Sequence, residues 1–243
     1  MLNQDERIDD LNFTGTKIIQ SDNVFSFSTD AILLSKFAKI PQKGCIVDLC
    51  AGNGAVGLIL TTRTKAQIHL IELQEKLADM AQRSVILNKL EKQVITHQLD
   101  LKQALSVIPH DSVDAITCNP PYFTNKQTNK QNPNEHLALA RHEITTNLAE
   151  ICQISNQLLK TKGHFNLVHR PERFLEIMTT LQTYNLIPKK IQFIYPKPGK
   201  DANLILIDAI KNGQPEGLKF LEPLYIYNEN NQYTKELLQI YHA

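Results

Sequence analysis

Long apolar runs, paired cysteines and an excess of charge of either sign are all missing from this 243-residue chain. No apolar stretch approaches the roughly 18 residues that a membrane-spanning helix needs, so no membrane partner is expected. The 4 cysteines, Cys45, Cys50, Cys118 and Cys152, form no C-x-x-C pair. That spacing argues for reduced, buried thiols and against disulfides or a metal site. The acidic N-terminus, MLNQDERIDD, lacks the character of an export signal. A cytoplasmic protein is therefore expected, in which the sequon Asn12-Phe13-Thr14 has no use. There are no internal repeats, and 42% apolar with 21% charged residues is ordinary globular composition. Disordered, collagen-like and disulfide-dense classes are excluded on that basis.

The formal charge is +1, from 26 basic and 25 acidic side chains, so no global field draws the chain to nucleic acid. The charge is unevenly spread. Residues 1–121 hold 12 Lys/Arg against 14 Asp/Glu, and residues 122–243 hold 14 against 11. Residues 160–200 alone carry 8 basic side chains against Glu172 and Glu176. A local field of that sign suits phosphates, although on charge alone a solvated basic face is the favoured reading. The stretch Thr124–Asn134, TNKQTNKQNPN, is wholly polar and reads as a loop.

Two extended pieces, Lys17–Ile19 and Val24–Phe27, precede a helix capped by Ser28 or Thr29, with Ile32, Leu33 and Phe37 on its apolar face. From residue 45 onward, strand-like runs alternate with helical patterns. The expected strands are CIVDL (45–49), QIHLIE (67–72), VITHQL (94–99), VDAITC (113–118) and HFNLVH (164–169). The expected helices are 55–62, 76–88, 144–160 and 171–184, with Leu77, Met80, Ala81, Ser84, Val85 and Leu87 near one face of the second. IQFIY (191–195) and LILIDAI (204–210) follow each other without a helix and should pair antiparallel. Repeated β–α units predict an α/β fold, a mostly parallel sheet with helices on both faces and an antiparallel end.

The first strand of the series runs into Asp48-Leu49-Cys50-Ala51-Gly52-Asn53-Gly54-Ala55-Val56-Gly57. Glycines there let backbone turn tightly and approach a ligand. Gly52, Gly54 and Gly57 also satisfy the dinucleotide pattern G-x-G-x-x-G, and Glu72 lies 20 residues past Gly52. A NAD-dependent dehydrogenase is thus a competing reading. Asp48 argues against it, since a carboxylate at the strand end opposes a pyrophosphate and suits an ammonium. S-adenosylmethionine carries an ammonium and a sulfonium and no phosphate. Asp100, in Leu99-Asp100-Leu101, puts a third acid at the same sheet edge, where it could accept from an adenine amine. Taken singly, Glu72 reads as a surface residue and Asp100 as a helix N-cap.

The fourth strand of the series leads into Asn119-Pro120-Pro121-Tyr122-Phe123. Two prolines stiffen the turn and stop both strand and helix. An exocyclic amine is a poor nucleophile because its lone pair is delocalised. The Asn119 side-chain oxygen and the Pro120 carbonyl can each accept one amine hydrogen, favouring a pyramidal nitrogen aimed at a methyl donor. Tyr122 would stack on the base. The same turn would serve another acceptor, such as an rRNA base or a protein glutamine. A non-catalytic RNA-binding module is the remaining alternative.

Several further stretches make the chain resemble the bacterial tRNA(Val) adenine N6-methyltransferase family, in its Gram-positive form. They are ERIDDL (6–11), FSFSTDAILLSKFA (25–38), DLCAGNGAVGL (48–58), IELQ from residue 72, NPPYF (119–123), ARHE (140–143), LVHRPERF (167–174) and LEPLYIY (221–227). The resemblance implies a Rossmann-like class I methyltransferase fold with a seven-stranded, mostly parallel sheet and an antiparallel end strand. It implies S-adenosylmethionine as cofactor and, as substrate, the adenine 3′ of the anticodon in tRNA(Val), position 37. Residues 1–40 would be an extension over the cofactor site and 41–243 the methyltransferase domain. The catalytic set is Asn119, Pro120, Pro121 and Tyr122. The cofactor set is Phe27, Ser28, Thr29 and Asp30 from the extension, with Asp48, Cys50, Gly52, Asn53, Gly54, Glu72, Leu73, Asp100, Leu101 and Asn119. Cys50 stands where many methyltransferases have glycine. Arg141, His142, Arg170, Arg173, Lys189, Lys190 and Lys197 are candidate tRNA contacts. Ion pairing with Glu143, Glu172 and Glu176 is the equal alternative for the arginines. A monomer is expected.

Overall fold

A computed structural model describes residues 2–11, 15–22, 24, 29–121 and 147–242. The first elements are an antiparallel hairpin, β1 (Glu6–Asp10) and β2 (Lys17–Ser21). β1 escaped sequence reading because ERIDD carries four charges and its Ile8 faces outward, 41% exposed. β2 is apolar and buried on Ile18 and Ile19. Helix α1 (Thr29–Phe37) follows, burying Ala31–Ser35.

The main sheet then builds by β–α alternation: β3 (Cys45–Leu49), α2 (Ala55–Leu60), β4 (Gln67–Glu72), α3 (Glu75–Leu87) and β5 (Val94–Gln98). A 3₁₀ turn over Leu101–Ser106 leads to β6 (Val113–Cys118). After it come α4 (Leu148–Leu158), β7 (Leu159–His169), α5 (Phe174–Thr183), β8 (Leu186–Tyr195) and β9 (Leu204–Lys211). Short strands β10 (Lys219–Phe220) and β11 (Leu224–Tyr225) precede the last helix, α6 (Lys235–His242).

Strands β5-β4-β3-β6-β7 run parallel, in that spatial order. β9 is antiparallel to both β7 and β8, as the missing helix between them requires. The antiparallel strand is therefore internal, and the outer strand β8 runs with the parallel set. β10 and β11 add to β8's far side. Pairing with β9 gives β8 a length that IQFIY alone did not suggest.

Side chains alternate across the pleat, so successive strand residues enter different cores. Ile46, Ile68 and Leu70 join Ile32, Leu33 and Leu34 of α1, Leu58 of α2, Ala81 and Val85 of α3 and Leu237 of α6. Val47, Leu49, Ile71 and Ile116 join Ile151 and Leu158 of α4 and Ile177 and Leu181 of α5. Helices thus cover both faces. Residues before 40 share the first core with the sheet, so α1 packs as part of the domain body. α4 opens with a capping box, Asn147 Oδ1 accepting from Glu150 N and Glu150 Oε2 from Asn147 N. The start expected at 144 lies outside the described residues. α5 is preceded by a separate 3₁₀ turn over Pro171–Arg173. Leu87, expected on the buried face of α3, is 40% exposed because the helix ends there.

Candidate active site

Strand order reverses at β3: its successor β4 lies on one side and β6 on the other. Ligands of open α/β sheets bind at such a switch point, outside the carboxyl ends of the strands. There the structure brings together the glycine loop after β3, Glu72 at the end of β4, Asp100 after β5 and the Asn119-Pro120-Pro121 turn after β6.

The loop is held from below. Ala51 N donates to Ile71 O at 3.0 Å, Gly54 N to Ala51 O at 2.9 Å and Gly52 N to Glu72 Oε2 at 2.8 Å. Glu72 Oε1 accepts from Gln74 N at 2.8 Å. Burial raises the Glu72 pKa and these amides pull it back. Each of its oxygens still has a lone pair to offer a ligand hydroxyl. Gly52 has φ 57 and open space where a side chain would stand. Gly57 serves packing, since a Cβ there would run into Leu70 Cδ2 and hold α2 off β4. Cys50 also has a left-handed φ of 56, a conformation that glycine would adopt without the Cβ penalty. Its thiol faces Cys118 at the end of β6, and burial pushes the Cys118 thiol well up.

Asp48 is 1% exposed, so it lies beneath the loop instead of lining an open cleft. Oδ1 accepts from Thr117 Oγ1 at 2.7 Å, and Oδ2 has no hydrogen bond among the described residues. Burial pushes its pKa up to about 7, against the pull of Thr117 and the Gly57 amide. Thr117 was missed in the sequence, where its one signal was a hydroxyl inside the apolar run VDAITC. Asn53 is buried too, and its Nδ2 donates to Ile19 O at 3.1 Å, tying β2 to the loop. Asp100 caps the 3₁₀ turn, Oδ1 accepting from Lys102 N at 2.9 Å, and its Oδ2 accepts nothing among the described residues. Leu73, beside Glu72, is 42% exposed, whereas Leu101 is 5% exposed and belongs to the second core.

Asn119 is half-buried directly after β6, Pro120 is buried and Pro121 half-buried. Thr29 and Asp30 form the first turn of α1. Phe27, Ser28, Tyr122, Arg141, His142 and the polar loop 124–134 lie outside the described residues.

The basic candidates do not form one patch. Arg170 follows β7, at the site's edge, with Nη1 donating to Asn203 O at 2.9 Å. Arg173 is ion-paired, its Nε donating to Glu176 Oε2 at 2.8 Å, and its Nη1 lies 3.2 Å from His169 Nε2. Lys197 follows the carboxyl end of β8 and reaches Asn231 Oδ1 at 3.3 Å. Lys189 and Lys190 sit six and five residues before Tyr195, so roughly 16–20 Å back along β8 from the site's edge. Lys190 Nζ is 3.0 Å from Phe37 O and 4.0 Å from the centre of its ring, and Lys189 Nζ bonds the carbonyls of Gln214 and Glu216. Among the described residues no group of three or more His, Cys, Asp or Glu could hold a metal ion, and no helix is long and apolar enough to cross a membrane.

Residues 15–193 match the family model described as "Methyltransferase small domain". The chain belongs to that family. The methyltransferase is 24% identical over 214 residues to the tRNA1(Val) (adenine(37)-N6)-methyltransferase of Shewanella sp. (strain MR-7), covering 88% of this chain and 89% of that protein. It is 25% identical over 232 residues to the protein of the same name from Flavobacterium psychrophilum, covering 94% and 96%. Its fold matches the crystal structure of a predicted O-methyltransferase from Agrobacterium tumefaciens, with TM-score 0.69, 23% identity and coverage of 88% and 95%.

Proposed function

We propose that this methyltransferase uses S-adenosylmethionine to methylate N6 of adenine in tRNA, the adenine 3′ of the anticodon of tRNA(Val) being its acceptor. The observation that carries the reading is the junction of the glycine loop and the Asn119-Pro120-Pro121 turn on adjacent strands, with Leu49 and Cys118 in register immediately before them. A methyl donor and an amine acceptor are thereby set at neighbouring strand ends. The names of the relatives in Shewanella and Flavobacterium support the acceptor.

The residues present fit the donor. Asp48 Oδ2 is a buried acceptor without a partner, suited to an ammonium directly or through water. Glu72 retains acceptor capacity for the ribose hydroxyls, and Asp100 Oδ2 for an adenine amine. Gly52 leaves room for close approach. A pyrophosphate at the loop would instead face the Asp48 carboxylate, which disfavours NAD. S-adenosylmethionine supplies an electrophilic methyl on its sulfonium when bound. Asn119 and the Pro120 carbonyl hold the two amine hydrogens of the target base and turn its lone pair toward the donor. Tyr122 stacks on that base. The family resemblance assigns Phe27, Ser28, Thr29 and Asp30 of the segment 1–40 to the cofactor set. Arg141, His142, Arg170, Arg173 and Lys197 belong to the tRNA contact set, in a soluble cytoplasmic monomer.

The test is single-turnover transfer of a labelled methyl group to unmodified tRNA(Val), followed by nucleoside analysis. N6-methyladenine at the expected position supports the reading. Label on a glutamine peptide or on another base, with none on this adenine, refutes it.

A further inference from the structure

Five tyrosines gather beyond the carboxyl end of β8, outside the site described above. Tyr195 ends β8, and Tyr225 of β11 is its register partner, their rings 5.3 Å apart. The chain then forms a tight turn. Tyr227 N donates to Pro196 O and Asn228 N to Gln232 O, while Asn228 Oδ1 accepts from the amides of Asn230 and Gln232. This turn sets Tyr227 opposite Tyr233 in an antiparallel bridge, with rings stacked at 5.2 Å and 18°. Tyr233 stacks in turn on Tyr241 of α6 at 6.2 Å and 24°, and the Tyr241 hydroxyl is 3.4 Å from Thr29 Oγ1.

Tyr227, Tyr233 and Tyr241 therefore form one column of nearly parallel rings. Its inner end rests on the first residue of α1. Its outer members are open to solvent, Tyr227 at 38% and Tyr233 at 45%. A hydrogen-bonded turn that holds two aromatic rings parallel at the surface gains little from burial. It does preorganise a stacking face, at low entropic cost for whatever continues the stack. The column shares the sheet edge of Asn119. Tyr227 follows β11, which lies on the far side of β8 and so four strands from β6, about 19 Å along the sheet edge at ~4.8 Å per strand. That separation is a few nucleotides of extended single strand. Charge near the turn is almost cancelled, Lys197 and Lys235 standing against Glu229 and Glu236. Such a surface suits base faces better than phosphates.

We infer that the Tyr227–Tyr233–Tyr241 column is a stacking platform for an unpaired nucleobase of the tRNA loop that flanks the acceptor adenine. The inference rests on the tRNA reading above. Base–aromatic stacking is sequence-tolerant, so the platform contributes affinity and placement and leaves base choice to the reaction site.

The experiment measures affinity for unmodified tRNA(Val) and for transcripts each made abasic at one loop position other than the acceptor. Tyr227→Ala should weaken binding of the intact transcript roughly 5- to 50-fold, while Tyr227→Phe stays within about twofold. The ratio should be the same at about 50 and about 200 mM salt, because no phosphate contact is lost. One abasic transcript should bind the parent as weakly as the intact transcript binds Tyr227→Ala, and should not distinguish the two proteins. Binding of S-adenosylhomocysteine should not change. Unaltered affinity of Tyr227→Ala for intact tRNA overturns the platform, as does an equal loss with every abasic transcript. So does a loss confined to a peptide substrate. Methylation of tRNA by the parent tests the underlying reading separately. A parent that neither binds nor methylates tRNA overturns both.

Discussion

Thr117 Oγ1 donates to Asp48 Oδ1 at 2.7 Å across the seam between β6 and β3, where the two residues are register partners. The glycine loop closes over this pair, so a carboxylate at the reactive edge is out of water before any ligand arrives. Its second oxygen is the unpaired one.

A pH dependence follows from that burial. The Asp48 pKa rises from 3.8 to about 7, so the folded chain holds a proton there that the unfolded chain releases. The associated stability is fully present below the unfolded value and is lost as pH rises through about 7. The shift of about three units corresponds to an upper bound of about 4 kcal/mol. Asp48→Asn should flatten the melting temperature between about pH 5 and 8 and raise it above the parent's at the alkaline end. Its affinity for S-adenosylhomocysteine should fall, whereas the parent's should weaken as pH drops below about 7. A parent affinity independent of pH in calorimetry would remove Asp48 from ammonium binding.

Thr117→Val keeps the shape of the side chain and removes the donor. The buried carboxylate then lacks its side-chain donor, a cost of about 1–3 kcal/mol in denaturant unfolding. The loss should shrink in the Asp48→Asn background if the two residues act as one unit.

Ile19 is fixed at both backbone groups, its N–H donating to Ser84 Oγ at 2.9 Å and its carbonyl accepting from Asn53 Nδ2. Asn53→Ala should cost about 1–3 kcal/mol by leaving that buried carbonyl unpaired. Hydrogen exchange should rise in β2 and the glycine loop together. Exchange confined to the loop would show that the hairpin does not depend on Asn53.

Cys50→Gly tests the loop's backbone. A left-handed φ costs a non-glycine residue about 1–2 kcal/mol, and glycine loses ~0.5–1 kcal/mol through unfolded-state entropy. The variant should match the parent or gain up to about 1 kcal/mol in denaturant titration. A clear loss would mean that the thiol's contact with Cys118 outweighs the strain.

Salt titration of tRNA binding should separate the basic residues. Lys197→Ala should lower the slope by about one counterion. Lys189→Ala should leave it unaltered, because Lys189 stands away from the reactive edge and caps the carbonyls of Gln214 and Glu216. Equal slopes for both variants would mean that the RNA does not follow the carboxyl edge.

The β–α alternation, the antiparallel pairing of the last two long strands, the loop glycines and the place of Asn119 directly after a strand were all legible in the sequence. Each is encoded locally, in apolar periodicity, in residues that tolerate special dihedrals, or in rigid prolines. Segment ends were less legible. β1 is an exposed, charged strand that exists because β2 pairs with it. The boundaries of β8 were set by its pairing with β9, not by its own hydrophobicity.

Tertiary structure alone decided how side chains from distant segments meet. It buried Asp48 against Thr117, placed Leu101 in the core and set Cys50 beside Cys118. It divided the basic residues of 160–200 between the two ends of the sheet, although they are close in sequence, because strand direction sends neighbours to opposite edges. It also drew Tyr227, Tyr233 and Tyr241 into one column, from a turn and a helix whose separate patterns carry no sign of it. Periodicity fixes which face a residue takes within its own element. Contacts between elements depend on packing that no local window contains.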